Sequence, residues 1–303
     1  MLIETKNLTK QYGTQFAIKG VDLQIREGMI CGLIGPNGAG KTTIMKILGG
    51  LILPTEGTVN IYGKTGENGL AEARKKMSFM IETPYAKNRM SARENLEKQC
   101  LQKGITDMGR IDEVLKIVGL ENVGKKYVGN YSLGMRQRLG IAIALLSKPE
   151  ILVMDEPING LDPAGIVEIR NLLLKLNREE HITIIISSHI LPELSLLCTD
   201  YIFINKGTIR QSITAKELEN NCREAYLIHT DNDKKALEIL KNKFAELDYE
   251  LNEDGSIKLF GQLDNMREVS KCLYDGGVVP VELKVLEANL EEYYMMMAGE
   301  ENE

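Results

Sequence analysis

The sequence predicts an α/β core on a mainly parallel sheet, interrupted by a helical insertion and followed by a small α+β unit. Three observations carry this. Short apolar runs (Met29–Ile34, Ile151–Met154, Thr183–Ile186) alternate with helix-patterned segments, and continuous apolar strands of that length belong to sheets covered on both faces. One of these strands runs straight into a glycine-rich loop and a helix. Charge also changes along the chain: of the net −6, residues 221–303 hold nine cationic and nineteen acidic side chains, leaving 28 and 24 in residues 1–220. That step places a boundary near residue 220, and an acidic tail argues against nucleic-acid binding, which needs clustered cations.

In chain order, Leu2–Leu8, Phe16–Ile25 and Thr58–Tyr62 read as strands, marked off by turn residues Tyr12-Gly13 and Glu56-Gly57. Met29–Ile34 is the strand before the glycine-rich loop, and Lys41 to about Leu48 is the helix after it. Between Leu70 and Asn130 the texture changes. Glu72–Lys76, Ala92–Leu101 and Ile111–Val118 have amphipathic spacing, so a helical insertion is expected there. Ile151–Met154 and Thr183–Ile186 return as buried strands around the helix pattern Ala164–Leu176. In the tail, Arg223–His229 reads as a strand and Lys234–Phe244 as a helix. Tyr249–Leu251 and Ile257–Leu259 form a hairpin across Asp254-Gly255. Met266–Leu273, Val278–Val285 and Leu290–Met297 add a helix, a strand and a last helix. This βαββαβ order predicts a ferredoxin-like unit.

Composition narrows the class. With 43% apolar and 26% charged residues the chain is ordinary globular protein. No apolar run approaches the ~18 residues of a membrane span, and Met1–Lys6 lacks a secretory signal, so neither insertion nor secretion is expected. Five cysteines without a CxxC, and His181, His189 and His229 without ligand spacing, predict free buried thiols in a reducing compartment and no zinc site.

The chemistry begins at Gly35-Pro36-Asn37-Gly38-Ala39-Gly40-Lys41-Thr42-Thr43, which fits G-x-x-x-x-G-K-[ST] between a strand and a helix. Gly38 and Gly40 let backbone approach a phosphate with no Cβ in the way. Successive N–H groups at a helix start favour an anion. Lys41 can reach the β/γ oxygens, and the Thr42 hydroxyl can ligate Mg²⁺. The segment is expected to bind ATP or GTP.

A second cluster follows. Ile151–Met154 ends in Asp155-Glu156, whose side chains diverge at a strand's carboxyl end. Asp155 is expected to hold Mg²⁺, directly or through water, and Glu156 to act as general base toward an attacking water. Alone such a pair is as readily a solvated turn; the phosphate loop upstream favours the catalytic reading. Asn159–Pro163 is a turn whose Asp162 is placed as a helix N-cap. His189 ends the next buried strand, where it could bond a γ-phosphate or orient the water.

In this order the residues resemble the ATP-binding-cassette (ABC) ATPases. The deciding segment is Tyr131-Ser132-Leu133-Gly134-Met135-Arg136-Gln137-Arg138, similar to that family's signature loop, which caps a helix and completes the ATP site of a second subunit. Ser132 Oγ and the Gly134 N–H suit a γ-phosphate on the same anion logic. The resemblance implies a P-loop ABC nucleotide-binding domain over 1–220 with a helical subdomain at about 70–145, an acidic α+β domain over 221–303, and ATP with Mg²⁺ as cofactors. It implies that Tyr12 stacks on adenine, that Asp162 is the D-loop acid and His189 the switch histidine. Two positions depart from the commoner pattern. The signature reads Ser-Leu-Gly-Met in place of Ser-Gly-Gly-Gln. The lid position usually filled by Gln is Glu82, which keeps an oxygen for Mg²⁺ but loses the amide donor. Both, with the acidic extension through Leu290–Tyr294, resemble the bacitracin-resistance and lantibiotic-immunity branch of exporters.

The resemblance therefore implies the ATP-hydrolysing motor of a transporter, bound at the cytoplasmic face of the membrane to separate transmembrane permease subunits. One phosphate loop and one signature per chain imply a second ATPase chain, identical or paralogous, facing the first. The stretch Glu82–Asn95 would dock on the permease. An exporter of antimicrobial peptides or drugs is the leading expectation. The alternatives are an importer ATPase, whose tail would be a small β-barrel, and a soluble ABC factor on ribosomes or DNA. The latter would show tandem cassettes, a coiled coil or a basic face. The basic runs are only short ones, such as Arg74–Lys76 and Lys125-Lys126, and no nucleic-acid partner is expected.

Overall fold

β1 (Ile3–Tyr12) organises a small antiparallel sheet. Its carboxyl half pairs with β2 (Gln15–Val21) and its first residues with β3 (Gln24–Ile25). The expected single strand Phe16–Ile25 is thus two, broken where the Asp22 carboxylate accepts a 2.6 Å bond from the Asn7 N–H. The structure is a computed structural model that describes residues 1–81, 86–221, 225–252, 254–260, 266–286, 290–291 and 293–294.

The chain then enters a larger sheet through β4 (Ile30–Ile34), buried throughout, and α1 (Lys41–Leu48). β5 (Glu56–Ile61) returns to β1. After α2 (Gly66–Arg74) comes β6 (Met77–Met80), a strand that the expected helical insertion from Leu70 does not contain. Four residues behind Lys75-Lys76 are too few to show a period of their own. The helical stretch therefore begins only with α3 (Ala92–Lys103), α4 (Gly109–Ile117) and α5 (Leu133–Leu145). A capping box of Ser91 and Glu94 starts α3. Buried Arg110 on α4 donates to the Leu145 carbonyl at the end of α5 (2.8 Å).

β7 (Ile151–Asp155), α6 (Pro163–Glu179) and β8 (Thr183–Ser187) follow, then α7 (Leu191–Ser195) and the hairpin β9 (Asp200–Asn205) and β10 (Thr208–Thr214). The sheet order is β10-β9-β4-β8-β7-β6, parallel except for β9 with β10. β4, β7 and β8 are continuous apolar strands because helices cover both faces of a parallel sheet.

The chain divides into two compact units, Met1–Ala215 and Lys216–Glu303. In the second, after α8 (Ala215–Asn221), β11 (Ala225–Thr230), α9 (Asp233–Lys243), β12 (Asp248–Leu251), β13 (Ile257–Phe260), α10 (Met266–Asp275) and β14 (Pro280–Leu286) follow. Its sheet is antiparallel in the order β12-β13-β11-β14. Ile228, Leu240, Ile257, Leu259, Val269 and Leu273 form a core of its own. Leu290 is buried. Arg223 and Met297, which belong to expected elements, lie outside the described residues, as does Cys222.

Cys31, Cys100, Cys198 and Cys272 are free, buried thiols, as the sequence leads one to expect. Burial pushes Cys31 and Cys198 well above the usual thiol range, with the Asp200 charge adding to it. Since the thiolate is the nucleophile, both should resist iodoacetamide in the native protein and react only on unfolding. Peptide mapping checks this, and native alkylation of either would contradict the packing described.

Candidate active site

Gly35–Thr43 joins β4 to α1 at the carboxyl edge of the large sheet. Its glycines answer two different demands. Gly38 is exposed and needs glycine for its φ of 82°, with open space around it. Gly35 needs it for room, since a Cβ would lie 2.1 Å from Ile204 O, and Gly40 needs it for both reasons, with a φ of 111° and Ala17 O 2.8 Å from a Cβ. The loop is thus wedged between β2 and β9. The β9–β10 turn fastens it, because the Gly207 N–H donates to Ala39 O (3.0 Å) and Gly207 O accepts from the Lys19 N–H (2.8 Å).

Pro36, Asn37 and Gly38 form the exposed arc, while Ala39 and Lys41 are buried and Thr42 and Thr43 half-buried in the first turn of α1. Lys41 Nζ donates to the carbonyls of Gly35 (2.6 Å) and Pro36 (3.1 Å). Burial pulls its pKa below the usual ammonium value, and the charges of Glu156 and Asp155 oppose that pull.

Parallel register brings the two acids in. Asp155 lies opposite Ser187 at the ends of β7 and β8. Thr42 donates its hydroxyl to Asp155 Oδ2 (2.7 Å), across 113 residues of sequence. Ser187 donates to Asp155 Oδ1 (2.5 Å). Glu156 adopts a left-handed φ of 50°, uncommon for a residue with a side chain. Its N–H donates to Ser187 Oγ (3.0 Å) and Ser187 O (3.2 Å), and its carboxylate meets His189 Nδ1 at 2.8 Å.

Lys41, Thr42, Asp155, Glu156 and His189 therefore form one group. Ser132, Gly134 and Asp162 form another. Ser132 caps α5, accepting from the Met135 N–H (3.2 Å), and Asp162 caps α6, accepting from the Gly165 N–H (3.2 Å). A Cβ on Gly134 would touch Leu161 at 3.8 Å, so the two helix starts pack together. Tyr12 is exposed, with the Lys10 ammonium 5.1 Å from its ring centre. Glu82 lies outside the described residues. Sequence reasoning missed Ser187 and Gly207. Gly207 was legible in the turn Lys206-Gly207 after an apolar run; Ser187 was not, because its partners are set by register.

Chemically, the arc with its buried cation is an anion cradle. Thr42 and Asp155 present adjacent hard oxygens, one of them anionic, which suits a hard dication that takes its other ligands from water and phosphate. No group of three or more His, Cys, Asp or Glu arranged for a metal occurs among the described residues. A carboxylate against an imidazole is a proton-accepting pair.

A phosphate loop wedged at the carboxyl edge of a parallel sheet, with acids on a neighbouring strand end, defines the P-loop class of α/β proteins. The family profile for ABC transporters matches residues 18–159. The chain is 39% identical over 298 residues to the bacitracin transport ATP-binding protein BcrA of Bacillus licheniformis, covering 98% of this chain and 97% of that protein. It is 43% identical over 208 residues to the lantibiotic transport ATP-binding protein SrtF of Streptococcus pyogenes, covering 69% of this chain and 89% of that one. A solved ATP-binding cassette, dimeric in a post-hydrolysis state with ADP and Pi, matches with a TM-score of 0.63 at 30% identity, over 71% of this chain and 99% of its own. The chain belongs to the ABC transporter family, as an ATP-binding ATPase subunit.

The Gly207 clamp can be tested directly. A Cβ there would lie 2.8 Å from Ala17 O, at a φ of 78°, whereas Gly66 has a φ of 70° and open space. Gly207→Ala should lower the thermal midpoint more than Gly66→Ala, since both share a left-handed strain of about 1–3 kcal/mol but only the first adds a clash with backbone. Equal shifts would show that the close approach of Gly207 to Ala17 O is relieved without cost.

Proposed function

We propose that this chain is the ATP-hydrolysing motor of an exporter of antimicrobial peptides or drugs. It works as a pair of ATPase chains, identical or paralogous, on separate transmembrane permease subunits at the cytoplasmic face of the membrane. The observation that carries the hydrolytic reading is the Thr42–Asp155 bond beside the Glu156–His189 contact. The cargo class is supported by the end-to-end likeness to a bacitracin transport protein, which takes in the acidic unit as well as the cassette. The antiparallel order β12-β13-β11-β14 with one helix in each crossover supports a ferredoxin-like reading of that unit, with its boundary near residue 220. Among the described residues no helix is long and apolar enough to cross a membrane.

In this reading the backbone N–H groups from Gly35 to Thr43 cradle the phosphates, and Lys41 exchanges its two carbonyl partners for phosphate oxygens. Thr42 and Asp155 hold Mg²⁺, which neutralises charge on the phosphates when bound. Glu156 accepts a proton from the attacking water, and His189, on its carboxylate, keeps that side chain aimed. Tyr12 offers a face to the base. Ser132 and Gly134 at one helix start, with Asp162 at the next, complete the site of the opposite chain. The hydrogen bonds of Ser132 and Asp162 go to the first turns of their own helices and not to the Lys41 group, and this supports a shared site.

Two substitutions test the assignment. Glu156→Gln should keep ATP binding and cut phosphate release by ~10²–10⁴, the usual value of a positioned base; turnover close to wild type would remove Glu156 from that role. Ser132→Arg should bind ATP through its own phosphate loop yet neither dimerise nor hydrolyse. Mixed with Lys41→Ala, it should regain part of the activity, because one intact composite site can form. Sedimentation with ATP reads the first outcome, and tight dimers of Ser132→Arg alone would exclude the shared geometry.

A further inference from the structure

We propose that Ser187 is a positioning residue for hydrolysis, locking the metal-side acid Asp155 and the backbone of the base Glu156 into one unit. The proposal rests on the reading of Asp155 and Glu156 given above. Ser187 is the last residue of β8, the strand between β4 and β7, and its side chain is fully buried.

A hydroxyl has one hydrogen to give and lone pairs to accept with. Ser187 uses both at once: the hydrogen goes to Asp155 Oδ1 at 2.5 Å, and the oxygen accepts from the Glu156 N–H at 3.0 Å. The consequences differ at the two acids. A carboxylate turns easily about its last torsion, which has broad, two-fold wells. With Oδ1 held by Ser187 and Oδ2 by Thr42 (2.7 Å), the Asp155 group is fixed in the plane that keeps Oδ2 beside the phosphate loop. At Glu156 the restraint is on the backbone. Its φ of 50° is unfavourable for a residue with a Cβ and persists only where neighbours impose it. The N–H is shared between Ser187 Oγ and Ser187 O, and that conformation sends the carboxylate to His189.

A purely structural serine would only satisfy a buried strand end, and anything of its size would replace it. Ser188 shows the contrast. It is equally buried, but its hydroxyl accepts from the Ile190 N–H (3.0 Å) and touches neither acid.

The test is the affinity for Mn²⁺ in the presence of a non-hydrolysable ATP analogue, read by electron paramagnetic resonance, alongside steady-state hydrolysis and thermal midpoint. Ser187→Ala and Ser187→Cys, the latter similar in size but a weak donor, should each bind Mn²⁺ about tenfold more weakly and lose at least about tenfold in kcat, as outer-shell partners commonly do. KM for ATP should move little, and Ser187→Thr, which keeps the hydroxyl, should recover Mn²⁺ affinity over Ala and Cys. Ser188→Ala calibrates a loss of stability without a loss of metal affinity. Asp155→Asn separates the two levels of argument: if it leaves Mn²⁺ binding unchanged, the reading of the site has failed, not the role of Ser187. If Asp155→Asn weakens Mn²⁺ binding while Ser187→Ala and Ser187→Cys match wild type in affinity and kcat, the proposal is overturned. Should Ser187→Thr not fold around its extra methyl, the Ala and Cys affinities decide alone.

Discussion

The chemistry at the sheet's carboxyl edge depends on β8 lying between β4 and β7. Neighbouring strands stand ~4.8 Å apart, so the β4 and β7 backbones are separated by roughly twice that. Thr42, in the first turn after β4, and Asp155, at the end of β7, must reach toward each other over the end of β8, and they meet at 2.7 Å. Whatever residue ends β8 sits beneath that bridge. A large side chain there would force the pair apart. A small apolar one would leave Asp155 Oδ1 without its buried donor, and an unpaired charged oxygen is costly. A small hydroxyl meets both conditions, and Ser187 is that residue.

The phosphate loop is held by a second constraint, which is steric. Gly35 packs against the carbonyl of Ile204, and Gly40 against that of Ala17, so the loop is pinned from both the large sheet and the small one. Gly207 completes the clamp by bonding Ala39 on one side and Lys19 on the other. Inside that clamp Lys41 is desolvated but not unpaired, since two carbonyls take its ammonium protons. Asp155 and Glu156 favour its charged form while burial disfavours it. An anion entering the arc adds the same favourable field, so the lysine's environment is already arranged for one.

How far the sequence shows this differs from element to element. α1 is legible to both ends, Lys41–Leu48, because Gly40 and Gly49-Gly50 bracket it. β7 and β8 are legible because a strand covered on both faces is apolar throughout. β6 is not: Met77–Met80 adjoins Lys75-Lys76 and α2, and its strand character comes from pairing with β7. β9 and β10 carry a visible pattern, the apolar run Tyr201–Ile204 before the turn Lys206-Gly207. Of the site, the phosphate loop and the acids are local words in the chain. The Glu156–His189 contact and the double bonding of Ser187 are products of register between β7 and β8, and register is a property of the assembled sheet.

The two groups of site residues are joined by the chain that leaves β7. Glu156 is followed by two tight turns, in which the Asn159 N–H donates to Glu156 O (3.2 Å) and the Leu161 N–H to Ile158 O (3.4 Å). These lead directly into Asp162 and the start of α6. On the way, the segment touches α5: a Cβ at Gly160 would lie 3.3 Å from Leu133, and one at Gly134 would lie 3.8 Å from Leu161. Close-packed contacts of that kind transmit displacement rather than absorb it. The Ser132 end of α5 is in contact of that kind, through Leu133 and Leu161, with the loop that begins at Glu156. At its other side Glu156 is anchored by Ser187, the last residue of β8. Glu156, with its left-handed backbone, thus lies between the loop that packs on α5 and the end of β8.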